Sequence, residues 1–487
     1  MNSLITICES LSPGEIKLVQ HFYKIRGDND NLKRGKLFDI AIAGETIADA
    51  EVAKKLGYPG AGCSFQNLKQ RLKADIMSVV LMQECTAKFS TPYAQAVFEC
   101  RRSLMQGEIL MSRGVYEEAI DILNKATKIA SKFQLYAEQL QIEDLVRNHT
   151  YLKGNTSSFK TTSDSICANY RMLGNVLEAK KKHYEITHPR LMGVQSLDGY
   201  MEKGGEALSQ LTELERNGSS SRIKMYRDLA AINFYSSSHD FGKAEAHAFS
   251  LIESVEKDPI VFSKSNQAGA NMELAGIFLN TRKYDKAILH AQKAVSLFKP
   301  GMINHLHAYI ILFFAYFRNN QIEEATEILS LAQNHRMIRV QKDKQMQSRV
   351  HLLNAAVSFK MGDIDKSSHI LHRNIETSRD KEGWMPGYYM LELLILMEKK
   401  NSDLANYRLE AFRKMLQRHG MDKHELRLAL ITRILKNLVK EDCNFRTVLP
   451  VHATEIKMLS EAKEKYYWNP AGYEVIRFDE WLMKKVS

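Results

Sequence analysis

The sequence predicts an all-α protein, most of it a stacked array of helix pairs behind a small helical front end. Three observations carry this prediction. Its 487 residues include only nine prolines and 25 glycines, so long helices are seldom interrupted. Short amphipathic stretches recur in which small residues fall at helical spacing. Each such stretch is too short to bury its apolar stripe alone, so it needs copies of itself as neighbours.

The front end, residues 1–90, differs from the rest. In SPGEIKLVQHFYKIRG, Ser12 is placed to cap a helix and Pro13 suits its first turn. NLKRGKLFDIAIAG gives a second helix ending at Gly44. Ala53 and Gly57 then have the spacing of a helix-turn-helix unit, where a small Ala permits close packing and Gly turns the chain. A helix from about Ser64 would bury Phe65, Leu68, Leu72 and Ile76. The same helix would turn Gln66, Lys69, Gln70 and Lys73 outward, where amides and ammoniums can meet base edges and phosphates. The region resembles a helix-turn-helix or winged-helix DNA reader. Its turn, YPGAGC, is longer than the usual roughly three or four residues. Twelve Lys/Arg stand against ten Asp/Glu, a faint basic footprint for a DNA binder. A cap over the apolar face of the first repeat is the other reading.

The array begins near residue 91 and runs to about 450. In SLMQGEILMSRGVYEEAIDILNKATKIA, Gly107 and Leu110 share one helix face, Gly114 stops and turns the chain, and Tyr116, Ala119, Leu123 and Ala126 form a second stripe. ELAGIFLNTRKYDKAILHAQKAVSLFKP repeats the pattern with Ala275, Phe278, Tyr284, Ala287, Ala294 and Pro300. Further copies carry Tyr235, Phe241, Ala244 and Ala248; Tyr316, Ile322, Ala325, Leu329 and Ala332; and Ala355, Gly362, Ile364, Ser367 and Leu371. These copies resemble the tetratricopeptide repeat (TPR), with its small residue in helix A, Gly-containing turn, aromatic residue and small residues in helix B. Ala244, Ala287, Ala325 and Ser367 are 43, 38 and 42 residues apart. The family period is about 34, so these repeats have longer helices or loops. Phe313 and Ile232 stand where the family has a small helix-A residue, and Asn374 where it has a small helix-B residue. Between Ala119 and Ala244 two degenerate repeats are expected, one around Ala207 and one near GNTSSFKTTSDS (154–165), which reads as an inserted loop.

The resemblance implies a right-handed superhelical solenoid whose concave wall is made mainly by the A helices and binds a partner protein or extended peptide. The family's exposed helix-A positions carry over to Tyr226, Asn233, Asn280, His307, Arg318, Arg349 and Lys360. Arg offers forked donors to a carboxylate and Asn can hold peptide backbone, so a carboxylate-bearing peptide suits this set. Phe314, Phe317 and Phe359 map nearby as apolar pockets. Residues 451–487 form an aromatic tail with Trp468, Tyr473, Phe478 and Trp481, expected as a lid on the last repeat.

The remaining composition narrows the function classes. A net charge of +11 tolerates acidic or nucleic-acid partners without demanding them. The start, MNSLITICESLSPGE, lacks a basic segment followed by an apolar core, and the most apolar run, 308–317, is about half a membrane span. A cytoplasmic chain with no membrane contact is expected. Cys8, Cys63, Cys85, Cys100, Cys167 and Cys443 are scattered and read as buried thiols; His305 and His307 point to different helix faces. No metal or cofactor is expected. Without a Gly-rich phosphate loop, HExxH or GxSxG, the reading is a non-enzymatic scaffold or adaptor. The alternative is a transcription regulator with a DNA-binding front end and a peptide-sensing array.

Overall fold

The structure is a computed structural model. It describes residues 2–25, 29–43, 48–82, 91–188, 197–340, 343–372, 384–421 and 425–485. The chain divides into two compact units, 1–90 and 91–487, and every regular element among the described residues is a helix.

The first unit holds α1 (Asn2–Ser10), α2 (Pro13–Ile25), α3 (Asn29–Ile42), α4 (Asp49–Lys55) and α5 (Cys63–Met82). Ser12 caps α2 reciprocally: its Oγ accepts from Glu15 N at 3.2 Å, and Glu15 Oε2 accepts from Ser12 N at 2.6 Å. The end expected at Gly44 lies outside the described residues. Helix α5 buries Phe65, Leu68, Leu72 and Ile76, and packs on α2 and α3.

The second unit is a TPR-like solenoid. Its helices are α6 (Pro92–Ser112), α7 (Tyr116–Lys132), α8 (Tyr136–Leu152), α9 (Thr156–Thr187), α10 (Leu197–Asn217), α11 (Ser221–Ser237) and α12 (Phe241–Lys257). They continue as α13 (Lys264–Asn280), α14 (Tyr284–Leu297), α15 (Ile303–Arg318), α16 (Ile322–Gln333), the short α17 (Arg336–Arg339), α18 (Lys344–Lys360) and α19 (Ile364–His372). The last are α20 (Met385–Glu398), α21 (Ser402–Arg418), α22 (Leu426–Lys440), α23 (Phe445–Val451), α24 (Ala453–Glu461) and α25 (Phe478–Met483). Each helix packs on its successor, and helices two apart also meet, as α13 does α15 and α18 does α20. Nearest-neighbour stacking of this kind defines a solenoid.

One device joins the two helices of every pair. A residue in the left-handed region closes helix A, and the next N–H reaches back to a carbonyl five residues earlier, as in a Schellman turn. Gly114, His239, Arg282, Asn320, Gly362 and Lys400 hold that position, with φ between 53° and 85°. The bonds Asp240 N to Tyr235 O, Lys283 N to Phe278 O and Asp363 N to Ser358 O, at 2.8–3.0 Å, are the same bond repeated. In the first pair the helices cross at a glycine: a Cβ at Gly107 would lie 2.7 Å from the Leu123 side chain.

Three expectations need correction. Residues 156–165 are not an inserted loop but the start of α9, a helix of 32 residues. Asn155 caps it, accepting from Ser158 N at 3.1 Å, and Thr162 and Ser163 turn their hydroxyls onto carbonyls four residues back. A polar run can thus be a half-exposed helix. Around Ala207 there is a single interposed helix, α10, not a helix pair. Of the cysteines, Cys8, Cys100 and Cys443 are buried as expected, but Cys63 and Cys167 are exposed; Cys85 lies outside the described residues, as does Asn374.

Candidate functional site: a row of helix ends beneath the C-terminal tail

Asn280, Arg318, Lys360 and Glu398 are the last residues of α13, α15, α18 and α20. Each stands seven residues before the small residue of the following helix: Ala287, Ala325, Ser367 and Ala405. They occupy one repeat position, and stacking lines them up as a row across successive A helices. The cations are well placed there, since a helix C-terminus carries partial negative charge.

The aromatic tail lies along this row in chain order. At the α13 end, the Tyr467 hydroxyl donates to Asn280 Oδ1, and its ring stacks on His239 with centroids 3.8 Å apart. Asn280 Nδ2 meanwhile donates to Gly276 O at 2.7 Å, which fixes the amide with its oxygen toward the tail. At the α15 end, the Arg318 guanidinium donates to three tail carbonyls: Val475 O at 2.7 Å, Pro470 O at 2.9 Å and Glu474 O at 3.4 Å. The Trp468 ring lies between Arg318, 4.6 Å away, and Arg477, 4.8 Å away. At the α20 end, Glu398 accepts from Trp481 Nε1 and from Lys485 Nζ, both at 2.7 Å. The start of α20 lets the tail backbone pass over it only because residue 387 is glycine: a Cβ there would lie 2.5 Å from Tyr473 O.

A buried charge network pins the tail at its centre. Arg427, on α22, grips Glu474 in a fork at 2.6 and 2.8 Å and reaches Asp479 at 2.8 Å. Its remaining donors go to Leu459 O and Tyr466 O. Arg477 pairs with Asp479 at 2.9 Å and donates to Ser460 O at 2.7 Å. Two guanidiniums thus face two carboxylates, all about 95% or more buried, so the charges cancel. Phe478 N also donates to Glu474 Oε1, at 2.9 Å, which helps start α25.

The tail is therefore a lid, but it does not sit on the last repeat alone: it crosses four A helices, because the row it binds recurs along the stack. Arg318 and Lys360, expected as open helix-A positions, are part-buried beside it. Burial lowers the Arg318 pKa to about 10 and that of Lys360 to about 8; for Lys360 the charges of Arg318 and Lys484 add to the effect. Phe314, Phe317 and Phe359 are buried; Phe317 and Phe359 also line a cleft beside the tail, whereas Phe314 is core.

The other expected wall residues spread over α11, α15 and α18. Tyr226 stacks on His183 at 5.8 Å. Asn233 Nδ2 donates to Leu229 O at 2.9 Å, the same back-bond that Asn280 makes. Arg349 lies 4.2 Å over the Trp384 ring. Burial, with the Arg349 charge behind it, lowers the His307 pKa. Glu398, Arg427, Glu474 and Gly387 are site residues the sequence reading missed. Only Glu398 had a legible signal: extending the repeat register one copy, to Ala405, finds it.

In the first unit Gln66 and Gln70 are exposed. Lys69 instead bonds Asp49 at 2.7 Å, and Lys73 bonds Ser3 Oγ at 2.8 Å. The Lys69 ammonium holds the Asp49 carboxyl down at about 2. Gln66 also donates to Ala61 O at 3.3 Å, so three of the four expected outward residues make internal contacts.

No family model and no curated protein matches the chain. Among solved structures it is similar to the apo form of RapI, at 12% identity and a TM-score of 0.45, over 80% of this chain and 98% of that one. It is also similar to the Rap conjugation gene regulator of plasmid pLS20, solved with the Phr* peptide: 15% identity, TM-score 0.40, 64% of this chain and 95% of that one. A third is a signal-transduction ATPase with a tetratricopeptide repeat sensor from Pyrococcus horikoshii: 13% identity, TM-score 0.36, 85% of this chain and 55% of that one. The solenoid assignment rests on the stacking and the repeated turns of this chain itself. No described helix is long and apolar enough to cross a membrane, and no group of three or more His, Cys, Asp or Glu side chains among the described residues could hold a metal.

Proposed function

We propose that the chain is a non-enzymatic adaptor whose A-helix wall binds an extended segment of a partner protein or peptide. One observation carries this reading: the wall already grips a non-helical segment, residues 467–477, through Arg318 to backbone carbonyls and Asn280 to a tyrosine hydroxyl. Backbone recognition of that kind does not depend on one side-chain sequence, so a partner segment can use the same rungs. The wall continues beyond the tail. Gly269, Glu273, Gly276 and Asn280 share one face of α13, and a Cβ at either glycine would meet nothing within 4 Å. Glu273 is recessed there in a pocket of about 280 Å³, and burial raises its pKa. A partner segment that takes the place of residues 470–475 on Arg318 would have to exchange with the tail first. In the DNA-reading alternative Gln66 and Gln70 stand exposed on α5, while Lys69 and Lys73 would have to leave Asp49 and Ser3 to meet phosphates.

The test uses a labelled peptide with the sequence of residues 466–485, added in trans. Gly387→Val crowds the passing tail and should open the row, so this variant should bind the peptide more tightly than the original chain. Adding Asn280→Ala and Arg318→Ala should abolish that gain. Peptide binding indifferent to Arg318 would end the reading.

A further inference from the structure

The row has one rung that does not hold the tail. Lys360 donates to Phe317 O, the penultimate carbonyl of α15, at 2.8 Å, and lies 4.4 Å from the Phe317 ring. Beside it the tail stands off and leaves a cleft of about 320 Å³. Small-ligand sites start at about 300 Å³. Phe317, Phe359, Ile364 and Trp481 give the cleft apolar walls, while Arg318, Lys360, Arg477, Lys484 and Lys485 line it with positive charge. Its carboxylates are Glu398 and Glu480. Glu398 is committed to Lys485 at 2.7 Å and Glu480 to Arg477 at 3.2 Å.

Arg318 and Lys360 are left without a carboxylate of their own. Their hydrogen bonds go to neutral carbonyls, and among the described residues neither is in an ion pair. Two part-buried cations with neutral acceptors repel each other in a region of reduced dielectric. Burial lowers the pKa of both side chains, and for Lys360 the Arg318 charge lowers it further. An anion entering the cleft would relieve the repulsion, and the apolar walls would hold a small hydrocarbon body behind the charged head.

We propose that the cleft between Lys360, Lys484 and the tail helix is a binding site for a small organic anion, a phosphate or carboxylate head on a compact apolar body. Because the cleft is built half from the wall and half from the tail, such a ligand bridges them and fastens the tail in place. This inference stands independently of the peptide reading.

The probes are phenyl phosphate and benzoate, with benzyl alcohol as the neutral control, titrated into the full chain at low salt. Tryptophan fluorescence reports binding, since Trp481 lines the cleft and Trp468 lies against Arg318. At least one anion should bind saturably and raise the melting temperature, and the tighter of the two names the head group. Benzyl alcohol should do neither. Lys360→Met should weaken binding by roughly tenfold or more, the size of one lost charged contact, while Lys360→Arg retains it. Lys484→Met, on the tail side, should weaken binding without touching the core of the array. Circular dichroism checks that each variant keeps its helices. Equal binding of benzyl alcohol, unchanged binding in both Lys→Met variants, or no saturable binding at millimolar anion overturns the proposal.

Discussion

The two halves of the array use the same turn and yet are held together differently. From Ile232 onward one large apolar core runs through α13, α15, α18, α20 and α22, with two small clusters around Ala294 and Ala291 beside it, and the tail residues Val475, Phe478, Trp481 and Leu482 belong to the large core. Before Ile232 the array has separate clusters, one from Ala96 to Ile142 and one from Tyr136 to Ala231. The difference teaches what the tail does. A solenoid is stabilised rung by rung, each pair touching only its neighbours. A segment that crosses several rungs adds contacts between repeats far apart in sequence, and so couples them into one cooperative unit.

Removing the pin of that coupling should have the largest effect. Arg427→Ala leaves two buried carboxylates with one guanidinium and should cost about 3–5 kcal/mol, as for a broken buried ion pair. Urea unfolding should show it, and hydrogen exchange should find the loss across α20 to α25 while the cluster from Ala96 to Ile142 keeps its protection. Uniform loss across both halves would mean that the halves are already one unit without the tail. A smaller effect is expected from Asn155→Ala, which removes the cap of α9: about 1 kcal/mol, confined to the first half. The melting of α8 and α9, followed by exchange, is the measurement, and equal loss in the second half would blur the comparison.

A third expected effect is a pH dependence. Lys360 has a pKa near 8 in the folded chain, below its ordinary value of 10.5, because burial and neighbouring cations oppose its charge. Folding therefore disfavours its proton. Its contribution to stability is best above the ordinary value and is lost as pH falls through about 8. Relative to Lys360→Met, the original chain should gain stability between about pH 8 and 10.5, read as a shift in urea midpoint. A constant difference over that window would show that Lys360 is not under strain on the row.

Much of the array was legible because packing periodicity is local information. Ala119, Ala244, Ala287 and Ala325 are all buried at helix crossings, as their spacing requires. The turns were less legible. Glycine marks the left-handed position at Gly114 and Gly362, and Asn320 and His239 signal it more weakly, but Arg282 and Lys400 hold the same conformation and nothing in those two side chains announces it. Residues 156–165 were misread because Ser and Thr are common in loops; here their hydroxyls bond the helix's own carbonyls. Arg318 and Lys360 were found by register, but as an open surface, since no local pattern links them to a tail more than a hundred residues away.

The sequence by itself determined that the chain is helical, that its helices pair, and which small residues let them cross, because each of these depends on residues a few positions apart. The tertiary structure alone decided that the tail lies on the row of helix ends, that Arg427 anchors it through Glu474 and Asp479, and that Gly387 gives it room. Those contacts join segments distant along the chain, and whether two charged groups meet in a dry interior is set by where stacking carries them, not by their neighbours in sequence.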